Sequence, residues 1–159
     1  MATPDLPDGY VRTQLQGIDL LRVLDGSVLD DVAARMVVRD HEPGEVVVAE
    51  GDAPAGLFVV FRGAATVERD DHTIAEVGPG EHVGEIALLD GQPRMATVRA
   101  GDDLRTGFLS SDDFLNLLEA DPSVALELLL ALAARFRLLE ERLTSAQAEL
   151  RSLRGEPED

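Results

Sequence analysis

The chain has 159 residues, 45% of them hydrophobic, enough for one compact domain with a real core and too few for two ordinary ones. Fourteen Lys plus Arg stand against 31 Asp plus Glu, and the formal net charge of -17 argues against wrapping DNA, RNA or anionic lipid, all of which need basic surface. The absence of cysteine excludes disulfides, thiolate metal sites and a thiol nucleophile.

Residues 1–9 carry two prolines and two aspartates without periodicity and read as a flexible leader. They have neither a cationic start nor an apolar signal core, and the greasiest run, residues 128–134, is far below spanning length. A soluble, unexported protein of the cytoplasm with no membrane partner is expected. Between Val11 and Met36 the apolar residues Leu15, Ile18, Leu21, Leu24, Leu29, Val32 and Met36 recur at helical intervals, and they predict short helices broken near Asp25, Gly26 and Ser27.

From Met36 the period changes. Short Val- and Phe-rich runs alternate with Glu-Pro-Gly, Gly-Asp, Arg-Gly, Asp-Asp-His and Gly-Pro-Gly punctuation, the pattern of an all-β sandwich or jelly roll. The strands resume at residues 95–100 and 104–109, so the stretch 84–93 interrupts the barrel without ending it, and such interruptions often carry function. Ser110 and Ser111 then offer a hydroxyl cap to one helix, and Asp121-Pro122 caps another that runs from about residue 123 to 153. The end, Glu-Pro-Glu-Asp, reads as a frayed acidic tail.

The interrupting stretch is GEIALLDGQPR, residues 84–94. Gly84 allows the backbone to approach a ligand closely, and the turn that follows has free N–H groups for an anion. Arg94 brings a guanidinium fork that matches two phosphate oxygens and stays charged when buried. Glu85 suits a hydroxyl beside that phosphate, as on a ribose. The plainer alternative is a salt bridge between Glu85 and Arg94 across the loop.

GEIALLDGQPRMATV resembles the phosphate-binding cassette of cyclic nucleotide-binding domains, in the glycine and acid at its start, the Pro-Arg pair and the spacing between acid and arginine. GEVVVAEGD (residues 44–52) and LFVVFRG (residues 57–63) resemble that family's earlier strand and glycine-turn signatures. The resemblance implies an α+β fold with N-terminal helices, an eight-stranded antiparallel β-roll over about residues 35–110 and a long C-terminal helix. The binding domain would occupy residues 10–142, a projecting coiled-coil-like helix end residues 143–154, and the acidic tail residues 155–159. It further implies that Arg94 binds the cyclic phosphate and Glu85 the ribose 2′-hydroxyl. Backbone groups of Gly84, Glu85 and Met95 would add donors, with Ile86, Ala96 and Thr97 in the same ligand-binding set. Leu88 would couple the cassette to the next helix, and Arg135, Leu138 and Leu139 are candidates to cover the base, with Thr144 and Ser145 of a partner chain a remoter choice. Met95 replaces the small residue usual after the arginine, where a hydroxyl goes with cyclic GMP, so cyclic AMP is the expected ligand and cyclic GMP the alternative. Ala55 stands where some members carry an acid that orients the arginine, a loss that would weaken affinity.

From Leu132, the residues Phe136, Leu139, Leu143, Ala146, Leu150 and Leu153 follow at alternating intervals of four and three, a heptad seam. Leu128, Leu130 and Leu138 lie on other faces and suggest burial against the barrel. With Phe136 and Leu139 as core positions, a parallel pair sets Arg135 against Glu140 and Glu149 against Arg154, so a homodimer is expected through this helix. A lone amphipathic helix folded onto its own domain is the alternative.

Metal catalysis of the cupin kind needs clustered histidines, whereas His41, His72 and His82 are scattered beside turns. No helix-turn-helix follows the long helix within the sequence, so no nucleic-acid partner is expected unless the sequence is a fragment. The expected protein is a stand-alone, non-enzymatic sensor that presents its C-terminal helix to an effector protein when ligand binds. A ligand-free dimerisation module of the same fold is the alternative.

Overall fold

The Val- and Phe-rich runs pair into two four-stranded antiparallel sheets, as described by a computed structural model covering residues 4–155. Before them come α1 (Tyr10–Leu15) and α2 (Gly26–Arg35). The strands are β1 (Val37–Asp40), β2 (Val46–Val48), β3 (Gly56–Arg62), β4 (Ala65–Arg69), β5 (His72–Val77), β6 (His82–Val83), β7 (Thr97–Ala100) and β8 (Arg105–Ser110). Between β6 and β7 stands α3 (Glu85–Asp90), and α4 (Ser111–Ala120) and α5 (Pro122–Arg154) follow the strands. One sheet has the order β1-β8-β3-β6 and the other β2-β7-β4-β5, which is the expected eight-stranded roll in an α+β fold. Of the leader and the acidic tail, only residues 4–9 and Gly155 fall among the described residues.

Strand β3 explains the arrangement. Its first six residues are all buried, because alternate side chains enter different layers. Phe58 and Val60 join Val48, Ala65, Val77, Val83, Val98, Ala100 and Leu104 in one core cluster. Leu57, Val59 and Phe61 are buried on the opposite side, where α4 packs against β3 and β8 and the Tyr10 ring meets Phe61 edge-on at 6.2 Å. A strand covered on both faces reads as a continuous apolar run.

The expected helical break at residues 25–27 is a helix start. Asp25 caps α2, its carboxylate accepting from the N–H groups of Ser27 and Val28 at 3.0 and 3.1 Å. Ser110 caps α4 through the Asp113 N–H at 3.2 Å. The Asp121 carboxylate accepts from the Ser123 N–H at 3.1 Å, with Pro122 at the head of α5.

By its internal contacts the chain forms one compact unit up to Val124 and a second from Ala125. The second unit is the body of α5, whose 33 residues span about 50 Å at 1.5 Å per residue. Along it, Phe136, Leu139, Leu143, Leu150 and Leu153 are more than half exposed. Leu130 and Leu138, for which burial is expected, are also exposed.

Two carboxylates tie the β1–β2 connection to β8. Asp40 receives two hydrogen bonds from the Arg105 guanidinium, which hold its carboxyl below the ordinary value of 3.8. The buried His41 ring lies 3.0 Å from Glu45 Oε1 and 2.9 Å from Thr106 Oγ1, and its bond holds the Glu45 carboxyl below the ordinary 4.5. Both values are depressed by folding, so their stabilisation is complete above about pH 4.5 and is lost as pH falls through the lowered values. Urea midpoints are expected to hold from pH 7 to pH 5 and to decline below pH 4, with a shallower decline in Asp40→Asn. An equal slope in that variant would refute the assignment.

Candidate functional site

Gly84 makes the turn from β6 into α3 with φ +99°, a conformation that favours glycine. A Cβ here would also crowd Arg94 Nη1 and lie 3.2 Å from the Gly56 carbonyl oxygen, so a side chain at 84 would displace the guanidinium. After its six residues α3 is capped by Gly91, φ +68°, whose N–H closes on the Ala87 carbonyl at 3.0 Å. Asp90 accepts the Gln92 N–H at 2.9 Å, Pro93 follows, and the chain returns to the roll at Arg94.

Arg94 is held at both ends. Its N–H donates to the Asp52 carbonyl and its carbonyl accepts from the Gly51 N–H, both at 2.8 Å. Its guanidinium donates from Nη1 to the Gly84 carbonyl at 2.8 Å and from Nη2 to the Gly56 carbonyl at 2.6 Å. The residue is 6% exposed. Burial lowers its pKa, and the negative charges of Glu85 and Asp52 oppose that shift. A guanidinium titrates so far above neutrality that the group stays cationic. The loop salt bridge is therefore not what holds this arginine: its fork rests on two neutral carbonyls, and Glu85 acts on it through space.

Glu85 is 2% exposed, with Oε2 at 3.9 Å from His82 Nε2. Ala87 and Leu88 are buried beside it, while Ile86, Leu89 and Met95 are exposed. Ala96 and Thr97 are half-buried, and the Thr97 hydroxyl accepts from the Glu50 N–H at 3.1 Å, which braces β7 against the end of β2. Thus Gly84, Glu85 and Arg94 come together at one corner, and Thr97 commits one lone pair to the scaffold. Arg135 and Leu139 lie on α5 in the second unit.

Three contributors escape the sequence reading. Gly56 and Asp52 act on Arg94 through main-chain carbonyls, for which side-chain type is no guide. His82 is judged only as a metal ligand, and its three-residue spacing to Glu85 is the one signal that places the two together. Among the described residues, no group of three or more His, Cys, Asp or Glu is arranged to hold a metal ion, and no helix is long and apolar enough to cross a membrane.

The inserted short helix of this β-roll brings a buried arginine and a buried glutamate to one corner of the fold. The sequence profile described as cyclic nucleotide-binding domain matches residues 38–121, and the chain belongs to that family. Among curated proteins it is 31% identical over 122 residues to patatin-like phospholipase domain-containing protein 6 of Homo sapiens, covering 73% of this chain and 9% of that one. Among solved structures it is similar to the regulatory domain of Toxoplasma gondii PKA crystallised with cAMP, at TM-score 0.65 and 28% identity, covering 71% of this chain and 46% of that one. The Catabolite Activator Protein of Thermus thermophilus gives TM-score 0.73 and 29% identity, covering 81% and 63%. This chain therefore spans about a tenth of the phospholipase and about half to two thirds of the two regulatory proteins.

Proposed function

We propose that the chain is a non-enzymatic cyclic nucleotide sensor whose ligand is cyclic AMP in preference to cyclic GMP. The observation that carries this reading is Arg94, a buried cation that rests on two neutral carbonyls beside Gly84 in a chain of this family. Such a group is costly for the fold to bury and gains most from an incoming phosphate. In this reading Arg94 takes the cyclic phosphate and Glu85 the ribose 2′-hydroxyl. The backbone of Gly84, Glu85 and Met95 adds donors, and Ile86, Ala96 and Thr97 form the rim. Arg135 and Leu139 contribute from α5 to the base. The cAMP with which the Toxoplasma domain was crystallised supports the choice of nucleotide, as does the lack of a hydroxyl at Met95.

The binding domain of this reading covers residues 10–142. Residues 143–154 project as one strand of a parallel homodimer, which the exposed seam Phe136, Leu139, Leu143, Leu150 and Leu153 supports. Ligand binding tightens the cassette and Leu88 passes the change to the helices, which alter how α5 meets an effector protein. This works only if the ligand prefers one helix arrangement over the other.

Calorimetric titration of cyclic AMP and cyclic GMP into protein unfolded and refolded to strip carried-over nucleotide tests the proposal. Micromolar or tighter binding of cyclic AMP is expected. No heat with either nucleotide would favour a ligand-free dimerisation module, a role compatible with Met95 and Ala55.

A further inference from the structure

We propose that Gly56 is a positioning residue of this site: its main-chain carbonyl fixes the Arg94 guanidinium, and only glycine lets that carbonyl reach it. The ligand named below rests on the cyclic nucleotide reading; the positioning role does not. Gly56 opens β3 and pairs with Ser110 of β8. A Cβ on it would lie 2.3 Å from the Leu109 carbonyl oxygen and 2.5 and 2.6 Å from two ring carbons of Phe108. Neither neighbour yields easily. The first is main chain in the interior of a sheet, and the Phe108 ring packs on Phe58, with centroids 5.0 Å apart, under an Arg39 guanidinium that lies 4.4 Å from one ring and 6.0 Å from the other. An alanine at 56 therefore pushes the start of β3 off β8 and carries the carbonyl away. Arg94 follows only by giving up its bond to the Gly84 carbonyl, because its own backbone is bonded in both directions to the turn at Gly51 and Asp52.

The choice of acceptor has a chemical consequence. A carboxylate bonded to the fork would compete directly with an incoming anion, whereas two carbonyls orient the fork and leave Glu85 and Asp52 to act on it only through space. The guanidinium has five N–H donors. Two are engaged by Gly56 and Gly84, and three stay available for phosphate oxygens, so cradle and ligand are held together.

Nitrogen-15 spectra of the arginine side chains at low temperature test this, with Arg94 assigned by its loss in Arg94→Lys. The native protein is expected to give separate, slowly exchanging Nη signals for Arg94, because two bonds stop the group rotating. In Gly56→Ala those signals merge and the dissociation constant for cyclic AMP rises about 10- to 100-fold, the range for one hydrogen bond to a charged group. Gly78→Ala, where a Cβ meets nothing within 4 Å, changes neither. The Ser111 N–H, which donates to the neighbouring Ala55 carbonyl at 3.0 Å, reports how far β3 has moved. Averaged Arg94 signals in the native protein overturn the proposal even if Gly56→Ala does not fold, and so does a folded Gly56→Ala with native signals and affinity. Separate signals that merge in Gly56→Ala, in a protein that binds no cyclic nucleotide, uphold the positioning role and defeat the nucleotide reading instead.

Discussion

Arg94→Ala is expected to raise the dissociation constant for cyclic AMP by a factor of tens to thousands while leaving a folded protein. Truncating one partner of a buried, hydrogen-bonded charge pair costs about 2–5 kcal/mol, and about 1.4 kcal/mol is a tenfold change. The loss should fall on nucleotide and inorganic phosphate alike, since the arginine addresses the phosphate and not the base. Stability follows a different course. The carbonyls of Gly56 and Gly84 lose their donors, which costs about 1–3 kcal/mol each if water does not replace them. Against that, a guanidinium no longer has to be desolvated, and the main-chain clasp between Arg94 and residues 51 and 52 survives the substitution. A modest fall in melting temperature with a large fall in affinity is the expected pair of results. Arg94→Lys separates charge from geometry: it keeps the cation and loses the fork, so it should recover only part of the affinity. Titration calorimetry on both variants decides the matter, and native affinity in Arg94→Ala would remove the site from this corner of the fold.

The sequence speaks most clearly where side-chain type and spacing carry the structure. Apolar runs between glycine and proline punctuation are enough for most of the roll, because a strand that covers one face must carry apolar residues; β5, exposed at five of its six positions, is the exception. Ser110 and Asp121 are legible as caps because short polar side chains reach free N–H groups. The corner itself is visible in Gly84, Glu85 and Arg94. What holds it is not: the carbonyls of Gly56 and Asp52 reach Arg94 only through the register of β3 on β8 and the turn after β2. Leu15, Ile18, Leu21 and Leu24 show another limit. Their three-residue spacing suggests helix, but residues 17–24 form successive turns in which Ile18, Leu21 and Leu24 each donate to the carbonyl three residues back. A repeat of three suits such turns as well as it suits an amphipathic helix, and the turns bury Leu15, Ile18 and Leu21 and leave Leu24 half-buried. The exposed Leu130 and Leu138 show the converse, since apolar character alone does not tell which partner covers a helix face.

Leu143→Glu is expected to dissociate the proposed homodimer, weakening self-association by about two to four orders of magnitude. Leu143 lies midway along the seam formed by Phe136, Leu139, Ala146, Leu150 and Leu153, and it is 59% exposed in the single chain. In a parallel pair two copies of this leucine meet, so the change removes two buried side chains worth about 1.5–3 kcal/mol each and puts two like charges at one layer. Glutamate is a good helix former, so the helix signal in circular dichroism should persist while the molecular mass halves. Leu138→Glu is the control: Leu138 is 47% exposed and lies off the seam, so a charge there should leave association intact. The parallel arrangement makes a further demand. Arg135 faces Glu140 and Glu149 faces Arg154 across it, whereas an antiparallel pair centred on the same seam brings Arg142 against Arg142 and Glu140 against Glu140. Raising the salt concentration screens the two attractive pairs and should weaken a parallel dimer slightly. Sedimentation equilibrium over a hundredfold range of concentration measures all of this, and a native protein that stays monomeric throughout would leave the leucine seam of α5 for some other partner.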